Sequence, residues 1–330
     1  MVICADFPVI YSTLSAIAIV ERVLPLFGLA NVERCELWHR GLSDIYLVQT
    51  PRGLRVLRVS HHHWRSRTDI NFEVDFLNFL AKHQIPVAAP IATVEGDYVV
   101  EVGAPEGMRY ATLFPFAPGE ISMGGWTVEQ SQRLGKVVAH IHQISTEFSC
   151  DHSRQALNLD YLLDESLSYI LPFFGDRPHD WHFVQKTAED IRDKLGDFSK
   201  AKPFWTVCWG DAHSGNVHFT KDQEITMFDF DQCGYGWRAF EIGKFYQAAL
   251  TTGLCRKVRE AFVTGYQSQT VFTEAEEIAL QSLTQLAYIW SWRISLQNIL
   301  LFNNSQLDRH YFTKRLERLR SLSTKAWNLF

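Results

Sequence analysis

The sequence lacks most of the features that settle a function by composition alone. Its six cysteines, at positions 4, 35, 150, 208, 233 and 255, never form a CxxC pair. That excludes zinc ribbons and thioredoxin-like dithiol chemistry and leaves single thiols, as expected in a reducing compartment such as the cytoplasm. No run of about 18 apolar residues occurs, so no membrane span is expected. Basic residues are not in excess, with 32 Lys and Arg against 37 Asp and Glu and a net charge of −5, so the electrostatic footprint of nucleic-acid binding is missing. Internal repeats and low-complexity linkers are also missing. The apolar stretch VIYSTLSAIAIV near the start has no basic leader and runs into Glu21 and Arg22. Ile17, Val20, Leu24 and Phe27 recur there at helical spacing with Gly28 beyond, so it reads as a helix and not as an export signal.

What is present is an ordinary globular composition, 46% hydrophobic and 21% charged over 330 residues, long enough for two lobes that each bury a core. Residues 34–60 alternate in the manner of strands: RCELWHRGLSDIYLVQT, a Thr50-Pro51-Arg52-Gly53 reversal, then LRVLRVS. A helix is expected at about 69–83, where Phe72, Phe76, Phe79 and Leu80 share a face, ahead of Pro86 and Pro90. PIATVEGDYVVEV, folded back around Glu95-Gly96-Asp97, and MRYATLFPF complete five strands with one inserted helix. After Pro118-Gly119 the pattern turns helical, with caps at Thr127 and Gln130 and at Thr273 and Glu276, and helices near 158–171 and 179–195. The expected fold is therefore α+β, with an antiparallel amino-terminal sheet lobe over residues 1–115 and a mostly helical carboxyl-terminal lobe over 116–330.

One strand-rich island breaks the helical half: WGDAHSGNVHFTKDQEITMFDFDQ, residues 209–232. Two short strands, VCW at 207–209 and ITMFDF at 225–230, are expected to bracket it. Phosphoryl transfer from a nucleotide needs one carboxylate to orient a hydroxyl and oxygen ligands to hold magnesium. Asp211 and Asn216 stand at the spacing of a base and an amide ligand, and Asp229 follows at a strand end as a second metal ligand.

These residues carry a resemblance. WGDAHSGNV resembles the HGDxHxxN loop of the aminoglycoside phosphotransferase and choline kinase superfamily, relatives of protein kinases, and FDFD resembles its IDxxD element. RVLRV, NFEVDFLNFL and IPVAAPI are similar to its cation strand, its acid-bearing helix and the segment after that helix. IPVAAPI together with LGKVVAHIHQIS is most similar to the bacterial stress-response and homoserine-kinase branch. The resemblance implies a two-lobed kinase fold that binds ATP with Mg2+ between the lobes, with Asp211 as catalytic base and Asn216 and Asp229 as metal ligands. It implies Arg58 on the nucleotide phosphates with Glu73 as its partner, and His213 and Glu241 as supports of the loop. Asp231 is a further contact to metal or substrate. The backbone of Leu113, Phe114 and Phe116 would meet the adenine, and the loop HRGLSD, with the Ser43 hydroxyl, would lie over the phosphates.

Three departures from the pattern stand out: Trp209 where the loop usually begins with His, Arg58 where lysine is common, and a single glycine in HRGLSD. The implied acceptor is a small-molecule hydroxyl, with a protein Ser or Thr as the alternative; a silent nucleotide-binding module is the rival from another class. GDAHSGNVH also shares strings with metallophosphoesterases, but the sole upstream DxH, at Asp180, sits in an expected helix. The triplet His61-His62-His63 alternates faces and cannot converge on one ion, which points to a solvated or phosphate-proximal loop. His140 and His142 read as packing or surface residues.

Overall fold

The computed structural model describes residues 7–121, 125–302 and 304–328. The chain divides into two compact units, one of residues 1–117 with 150–153 and one of 118–149 with 154–330.

The first unit is an antiparallel sheet of five strands, β1 (Arg34–Arg40), β2 (Ser43–Thr50), β3 (Gly53–Ser60), β4 (Val100–Ala104) and β5 (Gly107–Pro115), in the order β1-β2-β3-β5-β4. Strict alternation splits it into two faces. Tyr46, Val48, Leu57, Val59, Ala111 and Leu113 point to one side and are sealed by Ile19, Val23, Leu24 and Phe27, which come from α1 (Ala16–Arg22) and the short 3-10 turn after it. The expected amino-terminal helix is thus a helix plus one tighter turn that closes at Gly28, whose N–H bonds the Leu24 and Pro25 carbonyls. Ile45, Arg58 and Thr112 lie opposite one another across three strands on the second face. The inserted helix, α2 (Arg67–Lys82), starts at a capping box between Ser66 and Asp69 and buries Phe72, Glu73, Phe76 and Leu80.

Two expectations here need correction. HRGLSD is not an open loop: β1 runs to Arg40 and β2 starts at Ser43, which leaves a hairpin turn at Gly41-Leu42. Ser43 is buried and pairs with Ser60. The segment before β4 turns where expected, with Thr93 N–H on the Asp97 carbonyl, but pairs only through one bridge, Ile91 to Leu113, until Val100.

The second unit is built of α3 (Val128–Ile144), α4 (Glu165–Ile170), α5 (Pro178–Leu195), α6 (Arg238–Thr252), α7 (Arg256–Gln267), α8 (Glu274–Phe302) and α9 (Arg309–Leu322). The caps read from Thr127 and Gln130 and from Thr273 and Glu276 are both made. Helices α3 and α7 meet backbone to backbone: a Cβ on Gly135 would fall 2.0 Å from the Phe262 carbonyl oxygen, and one on Gly265 would fall 2.0 Å from that of Gln132. No helix among the described residues is long and apolar enough to cross a membrane.

The strand island consists of two separate ribbons, β6 (Trp205–Cys208) with β9 (Gly234–Trp237) and β7 (Val217–Phe219) with β8 (Ile225–Met227). The expected strand over 225–230 therefore ends at Met227, because Asp229 adopts φ +56°, which no extended strand tolerates. Strand β9 was not expected from GYGW, where alternating glycines lower strand propensity; pairing with β6 overrides that preference.

Candidate active site

The loop between β6 and β7 is held by contacts that begin one residue before its carboxylate. Trp209 is fully buried, stacks on Phe230 with ring centroids 5.5 Å apart, and donates Nε1–H to the Asp229 carbonyl at 3.0 Å. A large ring with a single donor thus ties the loop to the Asp229-Phe230-Asp231 segment, which accounts for tryptophan at this position. Gly210 follows at φ +84°, and a Cβ there would lie 2.2 Å from the Gln232 carbonyl oxygen, so only glycine fits. Its N–H is received by both carboxylate oxygens of Glu241 at 3.0 and 3.2 Å.

Asp211 then presents a carboxylate gripped from several directions. Lys244 Nζ lies 2.8 Å from Oδ1. His213 Nε2 lies 3.4 Å from Oδ2, and Asn216 Nδ2 donates at 3.2 Å to Oδ2 and at the same distance to the backbone carbonyl. His213 Nδ1 accepts the Gly215 N–H at 2.9 Å, which leaves Nε2 as the protonated nitrogen facing Asp211. Burial alone would raise the Asp211 pKa, but the Lys244 charge and the hydrogen bonds from His213 and Lys244 outweigh it and hold the carboxyl well below the usual carboxylate range. The side chain is still 24% exposed, so an anion is displayed to solvent.

Asn216 and Asp229 come together through the chain that joins them. Asn216 ends a short turn just before β7, and its carbonyl accepts the Phe228 N–H at 3.0 Å, so the backbone leading into Asp229, just past the end of β8, lies beside Asn216. Asn216 commits its NH2 to Asp211, which turns its amide oxygen into the donor available for a hard cation. That oxygen and the Asp229 carboxylate suit the oxygen preference of magnesium. Asp231 is buried in the next turn, where its carbonyl receives the Arg154 guanidinium.

In the first unit, Arg58 on β3 and Glu73 on α2 form a two-pronged pair, Nη1 to Oε1 at 2.8 Å and Nη2 to Oε2 at 2.6 Å. The Arg58 guanidinium also lies 5.1 Å over the Phe114 ring. Ser43 shares the sheet face of Arg58, two residues along β2 from the Ile45 opposite it. Of the expected adenine contacts, the Leu113 side chain is core and its carbonyl accepts from Ile91, while the Phe116 N–H reaches the Leu54 carbonyl at 3.4 Å.

Lys244 and His61 escaped the expectations drawn from the sequence. His142, read as packing or surface, lies buried beneath the loop, with Nδ1 2.9 Å from the Tyr266 hydroxyl and Nε2 3.7 Å from Glu241. It sits with Cys208 and Glu241, whose ligand atoms and its own all lie within 4.8 Å of one another. The Glu241 oxygens are spent on the loop backbone, and burial pushes the Cys208 thiol far up, so this cluster serves as the polar floor of the loop. His61, expected in a solvated loop, is buried against the Asp44 carboxylate at 3.7 Å. A signal for Lys244 did exist. Helix α6 is buried almost all round, yet carries Arg238, Glu241, Lys244 and Gln247 at every third position, and a buried helix must pair each such residue.

A carboxylate pinned beside an amide in a tryptophan-anchored turn is an arrangement a kinase-like phosphotransferase can use. The phosphotransferase enzyme family (APH) matches residues 35–278, and the chain belongs to that family. The uncharacterised protein sll1119 of Synechocystis sp. is 46% identical over 324 residues, 98% of this chain and 90% of its own length. Amicoumacin kinase of Bacillus subtilis is 24% identical over 184 residues, 55% of this chain and 53% of its own. Among solved structures, the amicoumacin kinase hAmiN in complex with AMP-PNP, Ca2+ and Ami superposes with a TM-score of 0.75 at 20% identity, over 92% of this chain and 93% of that one. A microcompartment-associated aminopropanol kinase gives 0.76 at 20% identity, over 93% and 95%. Those two likenesses show the shared fold.

Proposed function

We propose that this phosphotransferase moves the γ-phosphoryl group of ATP, with Mg2+, to a hydroxyl of a small molecule. The observation that carries the reading is the Asp211 carboxylate, kept anionic, fixed by donors on both oxygens and still open to solvent. In this reading Asp211 orients the acceptor hydroxyl and takes its proton as the new O–P bond forms, while ADP leaves. Asn216 and Asp229 would hold the magnesium, which when bound neutralises charge on the phosphate oxygens. Arg58, kept rigid by Glu73, would lend its positive charge to those oxygens. A small-molecule acceptor is supported by relatives named for such substrates: amicoumacin kinase, aminopropanol kinase and a spectinomycin phosphotransferase.

The direct test is purified protein with γ-labelled ATP and Mg2+ against a panel of amino alcohols and hydroxylated antibiotics, with thermal shift by ATP read with and without the metal. Asp211→Ala is expected to cut turnover by roughly 10²- to 10⁴-fold, the span of a lost general base. Near-normal turnover in that variant would refute the role of Asp211. Stabilisation by ATP with no turnover on any acceptor would favour a silent nucleotide-binding module instead.

A further inference from the structure

The motif that marks the catalytic loop contains no lysine, yet the shortest contact to its carboxylate comes from one. Lys244 projects from α6, its Nζ is 2.8 Å from Asp211 Oδ1, and the residue is only 6% exposed. The opposite oxygen, Oδ2, is held by His213 and Asn216 from within the loop. A carboxylate tethered through one oxygen alone can still turn about Cβ–Cγ. One tethered through both, by groups on separate elements, cannot.

A lysine is a poor tether unless its own four-carbon stem is fixed, and here it is. Lys244 Nζ also donates to Gln247 Oε1 at 3.2 Å. That oxygen accepts the Ser291 hydroxyl from α8 at 3.1 Å, while Gln247 Nε2 donates to Thr251 Oγ1 at 3.3 Å. The Thr251 hydroxyl in turn donates to the Gln247 carbonyl at 2.8 Å. Thr251 Oγ1 therefore faces Gln247 as an acceptor, which sets the amide with its oxygen toward Lys244.

We propose that Lys244 is a positioning residue for phosphoryl transfer, aiming the Asp211 carboxylate at the acceptor hydroxyl through a Ser291–Gln247–Lys244 chain anchored on α6 and α8. The proposal rests on the reading of Asp211 as the carboxylate that meets the acceptor. Lys244 acts through Asp211, so its effect disappears when Asp211 cannot do its work.

The experiment is a double-mutant cycle in kcat for Lys244→Met and Asp211→Asn, read by single-turnover transfer from γ-labelled ATP on full-length protein. Melting temperature and its response to MgATP confirm that each variant folds. Lys244→Met is expected to lower kcat by about 10- to 100-fold, the scale of a misplaced reacting group, with KM for ATP changed less than about threefold. In the Asp211→Asn background the same change is expected to cost less than about twofold, the non-additivity of residues that act as one unit. If Lys244→Met does not fold, Lys244→Gln, which keeps most of the stem and loses the charge, carries the same cycle. Wild-type turnover with Lys244→Met within twofold of it, or losses that multiply in the double variant, overturns the inference and leaves the phosphotransfer reading standing. A wild-type protein with no turnover on any acceptor removes that reading, and this inference with it.

Discussion

Arg58 with Glu73 and Lys244 with Asp211 are both buried pairs of a cation and an acid, one in each compact unit, and they are built for different ends. The first is closed to solvent. Two parallel N–H···O bonds join a guanidinium and a carboxylate that are 8% and 1% exposed. The second is open: Lys244 is shielded, but Asp211 keeps 24% of its side chain exposed and shares its second oxygen with the loop. A closed pair spends its acid on fixing its cation. An open pair spends its cation on fixing its acid. The two acids differ in exposure, and sign of charge alone does not reveal it.

The largest effect should come from breaking the closed pair. Glu73→Ala removes the two-pronged carboxylate partner of the buried Arg58 and is expected to destabilise the first unit by about 3–5 kcal/mol, visible as a lowered melting temperature. Loss of less than about 1 kcal/mol would show that solvent reaches Arg58 and that the pair is not closed. Next is the anchor of the open site. Trp209→Phe keeps the stack on Phe230 but strands the Asp229 carbonyl, at an expected cost of about 1–3 kcal/mol in denaturant unfolding, and Trp209→His, which restores a ring N–H, should recover part of it. Lys244→Met should cost about 1–2 kcal/mol of stability, less than Glu73→Ala, because Asp211 retains His213, Asn216 and water. The reverse order of Glu73 and Lys244 would break the distinction between the pairs.

The smallest effect is a pH dependence in a third polar cluster. Burial works to raise the Asp44 pKa, but hydrogen bonds from His61, Tyr11 and Arg109 and the Arg109 charge lower it overall. A folded pKa below the unfolded value, about 3.9, means stabilisation that is present above that value and lost as pH falls toward the folded one. The melting-temperature gap between wild type and Asp44→Asn should therefore narrow as pH drops below about 4. A gap constant from pH 7 to 3 would show that Asp44 contributes as a neutral hydrogen-bonding group.

Much of the architecture could be read without coordinates because its signals are local. Period-two alternation marked the five strands, period 3.6 marked α1 and α2, and the caps at Thr127 and Thr273 lay in short motifs. The 209–216 loop was legible because Asp211, His213 and Asn216 interact within a few residues of one another. What failed was non-local. GYGW becomes a strand only because β6 lies beside it. The stretch after Met227 leaves the strand because Trp209, twenty residues earlier in the chain, bonds the Asp229 carbonyl and stacks on Phe230. His61 reads as part of a solvated or phosphate-proximal loop until a distant acid, Asp44, is brought to it.

By itself the sequence determined the kinase-like class of the chain and the order in which Asp211, Asn216 and Asp229 occur, since these depend on neighbours along the backbone and on hydrophobic periodicity. Only the tertiary structure decided which way those groups are aimed. Lys244, Glu241 and Trp209 take up their roles through contacts with segments far along the chain, and a buried charge chooses its partner by proximity in space, where the low dielectric makes an unpaired ion too costly to keep.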